Sequence, residues 1–216
     1  GDFKELVSIM HKFMFRNLTC AHQKTPELRR VLTHGAHLIR GGHSITDVKT
    51  FFRGKLELDS SLEQHFRQPF HTSKLTKYVL KYLELHCRPT PTMVTSALCE
   101  VEHILPKKPD GAHPHAWSYA QDPATGQPNP LHGELVHQIG NQILLEQKIN
   151  NRIQNAEFLT KRNGSDAAGR RPAYPGYKAS GFAHAEKLCR KRKWTQQDIR
   201  KRTEDLIADA KVVWSF

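Results

Sequence analysis

The sequence predicts a mainly α-helical protein with a small core made of two strands and one helix. Through the first 98 residues, apolar side chains recur every three or four positions, and Ser, Thr, Gly and Pro interrupt the runs where helices would begin and end. The core is predicted by two short apolar runs, one ending near residue 105 and one at 138–145, with a helical pattern at 148–161 behind them. We therefore expect a helical module at 1–98 and a second domain at 99–216.

Five helices are expected in the helical module. The first has an apolar stripe, and the others begin at residues suited to helix N-termini and end near Gly or Pro. The stripe consists of Phe3, Leu6, Val7, Met10, Phe13 and Met14. The expected starts of the other four are Thr25-Pro26, Ser44, Ser60 or Ser61, and Ser73, and expected ends include Gly41-Gly42, Pro69 and Pro89-Thr90-Pro91.

In the second half, two segments rich in Pro, Gly and polar residues are expected to be loops, at 107–136 and 162–180. A structureless segment as long as the first is usually functional. The chain should end in a helix from Thr195 to Trp214, with Thr195 as its N-cap.

Composition narrows the class of protein. The formal net charge is +12, from 33 Lys+Arg against 21 Asp+Glu, which favours a polyanionic partner, although a soluble protein can also simply be basic.

No apolar run approaches the roughly 20 residues that cross a bilayer, and no signal peptide is visible. The four cysteines are far apart and form no CxxC, so reduced thiols and no structural zinc are expected. Because the chain begins with Gly1 rather than Met, it could be a processed product, an expression scar or a fragment of a longer protein, and we expect a fragment.

The residues that carry chemistry are an acid–histidine pair followed by two asparagines. Glu102-His103 ends the first apolar run, Asn141 opens the second, and Asn150 follows nine residues later. This order is what a one-metal phosphodiesterase of the HNH (His-Me finger) type requires, on a ββα-metal core. His103 would be the general base, Glu102 and Asn150 would bind one Mg²⁺ or Mn²⁺, and Asn141 would brace the catalytic loop.

Two of these assignments have alternatives. Adjacent residues on a strand point to opposite faces, so Glu102 and His103 share one site only if the strand ends or bends there. Asn150 could instead be the N-cap of the following helix, and the adjacent Asn151 could exchange roles with it.

The chain resembles the C-terminal HNH domain of GmrSD-type restriction enzymes and their relative SspE. The resemblance rests on residues 102–106, Trp117, 140–145, Asn150, Asn155, Phe158 and Lys161, and it also covers 78–84 and the tail residues Trp194, Ile199, Arg202, Leu206 and Trp214. It spans most of residues 75–216 and, more loosely, 1–74. It implies a cytoplasmic bacterial DNA nickase or endonuclease that uses Mg²⁺ or Mn²⁺ against phage or modified DNA. It also implies an N-terminal ParB-like nucleotidase domain in the full-length protein. Gln142 departs from the apolar residue that the family tends to have, and we expect its role to be structural.

Basic residues in the second half are expected to contact DNA phosphates, with a solvated surface as the alternative. They are Arg152, Lys161, Arg162, Arg170, Arg171 and the run Arg190, Lys191, Arg192 and Lys193. Tyr174 and Tyr177 could stack on an unpaired base or simply pack in their loop. Two other functions stay open: a nucleic-acid-binding module that has lost catalysis, and a zinc-stabilised interaction domain.

Overall fold

Helices dominate the structure, a computed structural model that describes residues 2–88, 98–108, 130–164 and 175–216. The mainly α prediction is confirmed. The described helices are α1 Asp2–Met14, α2 Thr25–Arg40, α3 Ile45–Arg53, α4 Asp59–Arg67, α5 Ser73–Cys87, α6 Pro130–Val136, α7 Gln147–Ile153, α8 Phe158–Asn163, α9 Ala183–Leu188 and α10 Gln196–Val213, and the described strands are β1 Cys99–His103 and β2 Gln142–Glu146. None of these helices combines the length and the apolar character that a membrane crossing requires.

The chain forms two compact units, which divide it elsewhere than at the predicted boundary after residue 98. The first unit comprises Gly1–Arg67 and Ile207–Phe216, and the second comprises Gln68–Leu206. In the first unit, α1 continues into a π-helical turn at Phe15–Cys20. Its core contains Phe13 and Phe52, whose rings meet edge to face at 5.0 Å.

Helix starts follow local hydrogen bonding. Ser44 caps α3 as predicted, because its Oγ accepts a hydrogen bond from Asp47 N at 3.2 Å while Asp47 accepts one from Ser44 N. Thr195 and Asp198 exchange the same pair of bonds at the start of α10, which confirms that cap. The predicted caps at Ser60 or Ser61 are wrong, because α4 already begins at Asp59.

The second unit is organised around a two-stranded sheet. β1 and β2 are antiparallel, with Cys99 opposite Glu146 and His103 opposite Gln142. α7 follows β2 directly and packs on both strands, as does α5. Along the described residues the order is β1, α6, the turn at Ile139–Asn141, β2 and α7.

Several boundaries differ from the prediction. The second strand begins at Gln142, because Ile139–Asn141 forms a 3₁₀ turn. A side chain at Gly140 within this turn would lie 2.2 Å from Ile199 O, so the turn packs too closely for any residue but glycine. The helix expected at 148–161 is two helices, α7 and α8, separated where Gln154 adopts a φ of 41°.

Two of the described helices were not expected. α6 lies in the segment predicted as loop at 107–136, and α9 was not predicted. α9 begins where the carboxylate of Glu84 accepts hydrogen bonds from Ala183 N and His184 N, which supplies its missing cap. The expectations for Pro89-Thr90-Pro91, Trp117, Arg170, Arg171 and Tyr174 lie outside the described residues.

Candidate active site

His103 is the last residue of β1, where the chain leaves the sheet. The next residues, Ile104 and Leu105, are buried, and Ile104 N donates to Asn141 O at 2.9 Å. Burial, and after it the positive charge of Lys107, lowers the pKa of His103 to about 3. The imidazole is therefore neutral at pH 7 and can accept a proton.

Asn141 holds the segment that follows His103. Its Oδ1 accepts from Leu105 N at 2.8 Å and from Trp194 Nε1 at 3.1 Å. Its Nδ2 donates to Leu105 O at 3.0 Å and to Val136 O at 3.1 Å. The side chain is fully buried, so Asn141 cannot contact a substrate. Its two bonds to Leu105 place it where the predicted brace of the catalytic loop would lie.

Glu102 forms a buried ion pair with Lys161. Lys161 Nζ lies 2.6 Å from Glu102 Oε1 and donates to His103 O at 2.6 Å. Tyr177 OH donates to the same carboxylate oxygen at 3.0 Å. Burial, and then the charge of Glu102, raises the pKa of Tyr177. Lys161, a residue of α8, therefore links the side chain of Glu102 to the backbone of His103.

Asn150 lies in α7, and its side chain is oriented by Glu100, a second acidic residue of β1. Its Nδ2 donates to Glu100 Oε2 at 2.9 Å, and Gln147 Nε2 donates to Glu100 Oε1 at 2.9 Å. Since α7 begins at Gln147 after Glu146, Asn150 is not the N-cap of this helix. Its amide oxygen therefore has a fixed direction and accepts no hydrogen bond from the described residues.

Glu102, His103, Asn150 and Asn151 line one cleft of about 380 Å³, which we call the catalytic cleft. The second carboxylate oxygen of Glu102 accepts no hydrogen bond from the described residues, as is also true of Asn150 Oδ1. Two free oxygen donors of this kind fit a hard divalent cation such as Mg²⁺ or Mn²⁺. Within the described segments, no group of three His, Cys, Asp or Glu side chains is arranged to hold a metal, so a metal here would rely on Glu102 and Asn150 together with water and phosphate oxygens.

The basic residues predicted to contact DNA fall into three groups. Lys161 is fully buried, so a contact with a phosphate does not fit its position. Lys191 pairs with Asp198 at 2.7 Å, and its carbonyl accepts from Arg162 Nη1 at 2.5 Å, so both side chains have partners within the protein. The exposed members of the set are Arg152, Arg190, Arg192 and Lys193.

Two further expectations are settled by contacts. Tyr177 is fully buried against Glu102 and cannot stack on a base. Gln142 has the structural role expected of it, because its Nε2 donates to Phe70 O at 3.2 Å and to His137 O at 3.0 Å.

No role at the site was predicted for Glu100, and Arg202 was noted only among the tail residues that carry the resemblance. Glu100 stands two residues before Glu102 on a strand, and this spacing alone could have placed both on one face. Arg202 Nη1 donates to the carbonyls of Ile139, Gly140 and Gln142 and so fixes the turn before β2. No local sequence signal indicates that contact, since it joins α10 to a distant turn.

Comparison with known protein families places the chain in one of them. No curated protein matches the chain. The sequence profile of the GmrSD restriction endonucleases, C-terminal domain, matches residues 40–209, which is well over half of the chain and includes the whole catalytic cleft. The chain therefore belongs to the family of C-terminal domains of GmrSD restriction endonucleases.

Proposed function

We propose that this chain is an HNH-type DNA endonuclease that depends on Mg²⁺ or Mn²⁺ and hydrolyses phosphodiester bonds, by nicking or by cutting both strands. The observation that carries the proposal is the pair of hydrogen bonds by which the buried Asn141 holds Leu105, two residues after His103, beside a cleft lined by Glu102, His103 and Asn150. A buried clasp of this kind fixes the histidine without taking part in the chemistry.

His103 would take the proton of the attacking water. Its neutral imidazole is available as an acceptor, and a phosphodiester anion bound beside it would stabilise the protonated form. A metal ion held by Glu102 and Asn150 would supply charge neutralisation for the phosphoryl oxygens and the departing oxygen. Glu100 would keep the Asn150 amide turned so that its oxygen, not its nitrogen, faces the cleft.

Lys161 would act through Glu102 and His103 rather than on DNA. It holds Glu102 Oε1 at 2.6 Å, and Glu102 lines the cleft. It also holds the carbonyl of His103, so the acid and the histidine keep one relative position. We propose this positioning role in place of the predicted DNA contact.

A catalytically silent DNA-binding module is the second candidate. The contacts of Glu102 favour this candidate. Its carboxylate already bonds to Lys161 and Tyr177, and these contacts are those of an ordinary buried ion pair. The two candidates differ in one respect: only the nuclease requires the second Glu102 oxygen and the Asn150 oxygen to hold a cation.

A metal titration of cleavage tests the proposal. Supercoiled plasmid is incubated with the chain in EDTA, Mg²⁺ or Mn²⁺, and nicked and linear products are measured. The wild-type chain should cut only with metal. Asn150→Ala should lose activity and regain part of it at raised Mn²⁺, because a weakened site is refilled by mass action.

The matched control is Asn151→Ala, which alters the exposed neighbour in the same cleft. It should keep near wild-type activity and metal dependence. Activity lost in Asn151→Ala and kept in Asn150→Ala would contradict the assignment of the ligand. A wild-type chain that binds plasmid without cutting it under any metal condition would favour the silent module.

The biological setting is proposed from the family. Restriction endonucleases act on DNA, and we propose phage or modified DNA as the substrate, in the bacterial cytoplasm. We further propose that the chain is the C-terminal part of a longer protein whose N-terminal region is a ParB-like nucleotidase domain.

A further inference from the structure

A second cleft, of about 310 Å³, adjoins His103 and is distinct from the catalytic cleft. It is formed by the start of α5, by β1 and by the residues before β2. We call it the basic cleft. The lysines and histidines that line it are His71, Lys74, Lys77, His103, Lys107 and His137.

Positive charge dominates the basic cleft. Three lysines line it, and the one acidic side chain among its described lining residues is Glu100. Both oxygens of Glu100 already accept hydrogen bonds, from Gln147 and Asn150. Lys77 donates to Cys99 O in the wall, whereas Lys74 is exposed to solvent. The cleft is therefore a cationic recess with an exposed lysine at its edge.

The imidazole rings of His71, His137 and His103 lie next to one another along the cleft. The rings of His71 and His137 are 4.4 Å apart, and those of His137 and His103 are 5.8 Å apart. The backbone of His137 is held in place, since its carbonyl accepts from Phe70 N at 2.7 Å and from Gln142 Nε2 at 3.0 Å. The position of His137 is therefore fixed by contacts within the fold.

The electrostatics of His137 agree with this geometry. Burial lowers its pKa first, and the positive charges of His71 and Lys107 lower it further. Positive charges that repel one another within a site are stabilised electrostatically when an anion binds there.

We propose that the basic cleft binds a backbone phosphate of the DNA strand being cut, adjacent to the phosphate that would be attacked at His103. The proposal rests on the proposed function. It follows from the wall that the two clefts share, because Val101, His103 and Lys107 line both of them. A strand that places one phosphate beside His103 in the catalytic cleft can place a neighbouring phosphate in the basic cleft. Lysine ammonium and imidazole N–H groups are suitable donors to phosphate oxygens.

The test compares Lys74→Gln with Lys201→Gln in the full chain. Lys201 is an exposed lysine of α10, with a side chain 71% accessible, and it lines neither cleft. Binding of a fluorescein-labelled 20-mer duplex is measured by anisotropy in EDTA over a range of salt concentrations. Lys74→Gln should weaken binding about threefold to tenfold at low salt and reduce the salt slope by about 0.9, the value for one phosphate contact. Lys201→Gln should match wild type.

A second variant and a second ligand complete the test. His137→Gln should weaken DNA binding in the same direction, with a thermal melt to verify folding. Inorganic phosphate, titrated by calorimetry, separates a strand-binding cleft from a site for free phosphate. Equal affinity and equal salt slope for Lys74→Gln and Lys201→Gln would overturn the proposal. So would a loss of inorganic phosphate binding in Lys74→Gln with DNA affinity unchanged.

These results are separable from those for the proposed function. Binding in EDTA needs no cleavage, so a chain that cuts no DNA still reports whether Lys74 contacts a phosphate. A chain that cuts DNA while Lys74→Gln behaves like the control keeps the proposed function and loses the basic cleft.

Discussion

Replacing Lys161 with methionine should destabilise the unit Gln68–Leu206 by about 3 to 5 kcal/mol, the cost of removing one partner from a buried ion pair. The side chains of Lys161 and Glu102 are only 1% and 7% accessible, so solvent does not screen their interaction. Lys161 makes two hydrogen bonds of 2.6 Å, and hydrogen bonds to charged groups contribute about 1.5 to 3 kcal/mol each, which gives a similar sum. Methionine fills nearly the same space, so the packing loss is small.

Urea unfolding followed by circular dichroism measures this change. The matched control is Lys148→Met, which alters an exposed lysine of α7 and should change stability by no more than about 0.5 kcal/mol. The double variant Glu102→Gln with Lys161→Met should be less destabilised than the sum of the single variants, because the remaining neutral amide needs no buried cation. If Lys161→Met and Lys148→Met unfold at the same urea concentration, the ion pair does not hold this region together.

Two further predictions concern the support of the site and the response to acid. Asn141→Ala should cost at least about 3 kcal/mol, because it leaves several buried backbone groups and Trp194 Nε1 without partners; an unchanged melting temperature would contradict the clasp. Burial lowers the pKa of His184 to about 3, so its contribution to stability is full above the unfolded pKa near 6.5 and falls as the pH drops from 6.5 toward 3. Between pH 7.5 and 5 the chain should lose about 2 kcal/mol through this group, and His184→Gln should lose correspondingly less; equal losses in urea titrations at the two pH values would refute the assignment.

Local features of the fold could be predicted from the sequence, and distant contacts could not. Ser44 and Thr195 cap their helices through residues three positions away, so the signal lies within one turn. The start of α9 depends on Glu84, about a hundred residues earlier in the chain, and no local pattern indicates that partner. A turn at Asn141 was expected before the second strand, but its 3₁₀ form could not be predicted because it depends on Gly140 packing against the backbone of α10.

The candidate site shows the same division. The order of Glu102, His103, Asn141 and Asn150 was readable because short apolar runs separate these residues, and the structure brings the Asn141 side chain onto the segment after His103. The charge pattern was misleading for Lys161, because a lysine that is buried against an acid 59 residues away looks the same in sequence as an exposed one. The basic cleft was also not apparent, since its lysines and histidines come from three separate segments.

The central claim is that His103 activates the water that cuts DNA, and the rate of plasmid nicking by His103→Ala tests it most directly. The variant is compared with wild type at a Mn²⁺ concentration and a DNA concentration at which both proteins are shown to be saturated. We expect a loss of about 10²- to 10⁴-fold in the nicking rate, the usual effect of removing a general base, with a thermal melt showing that the variant is folded. Nicking by His103→Ala at the wild-type rate under these conditions would contradict it.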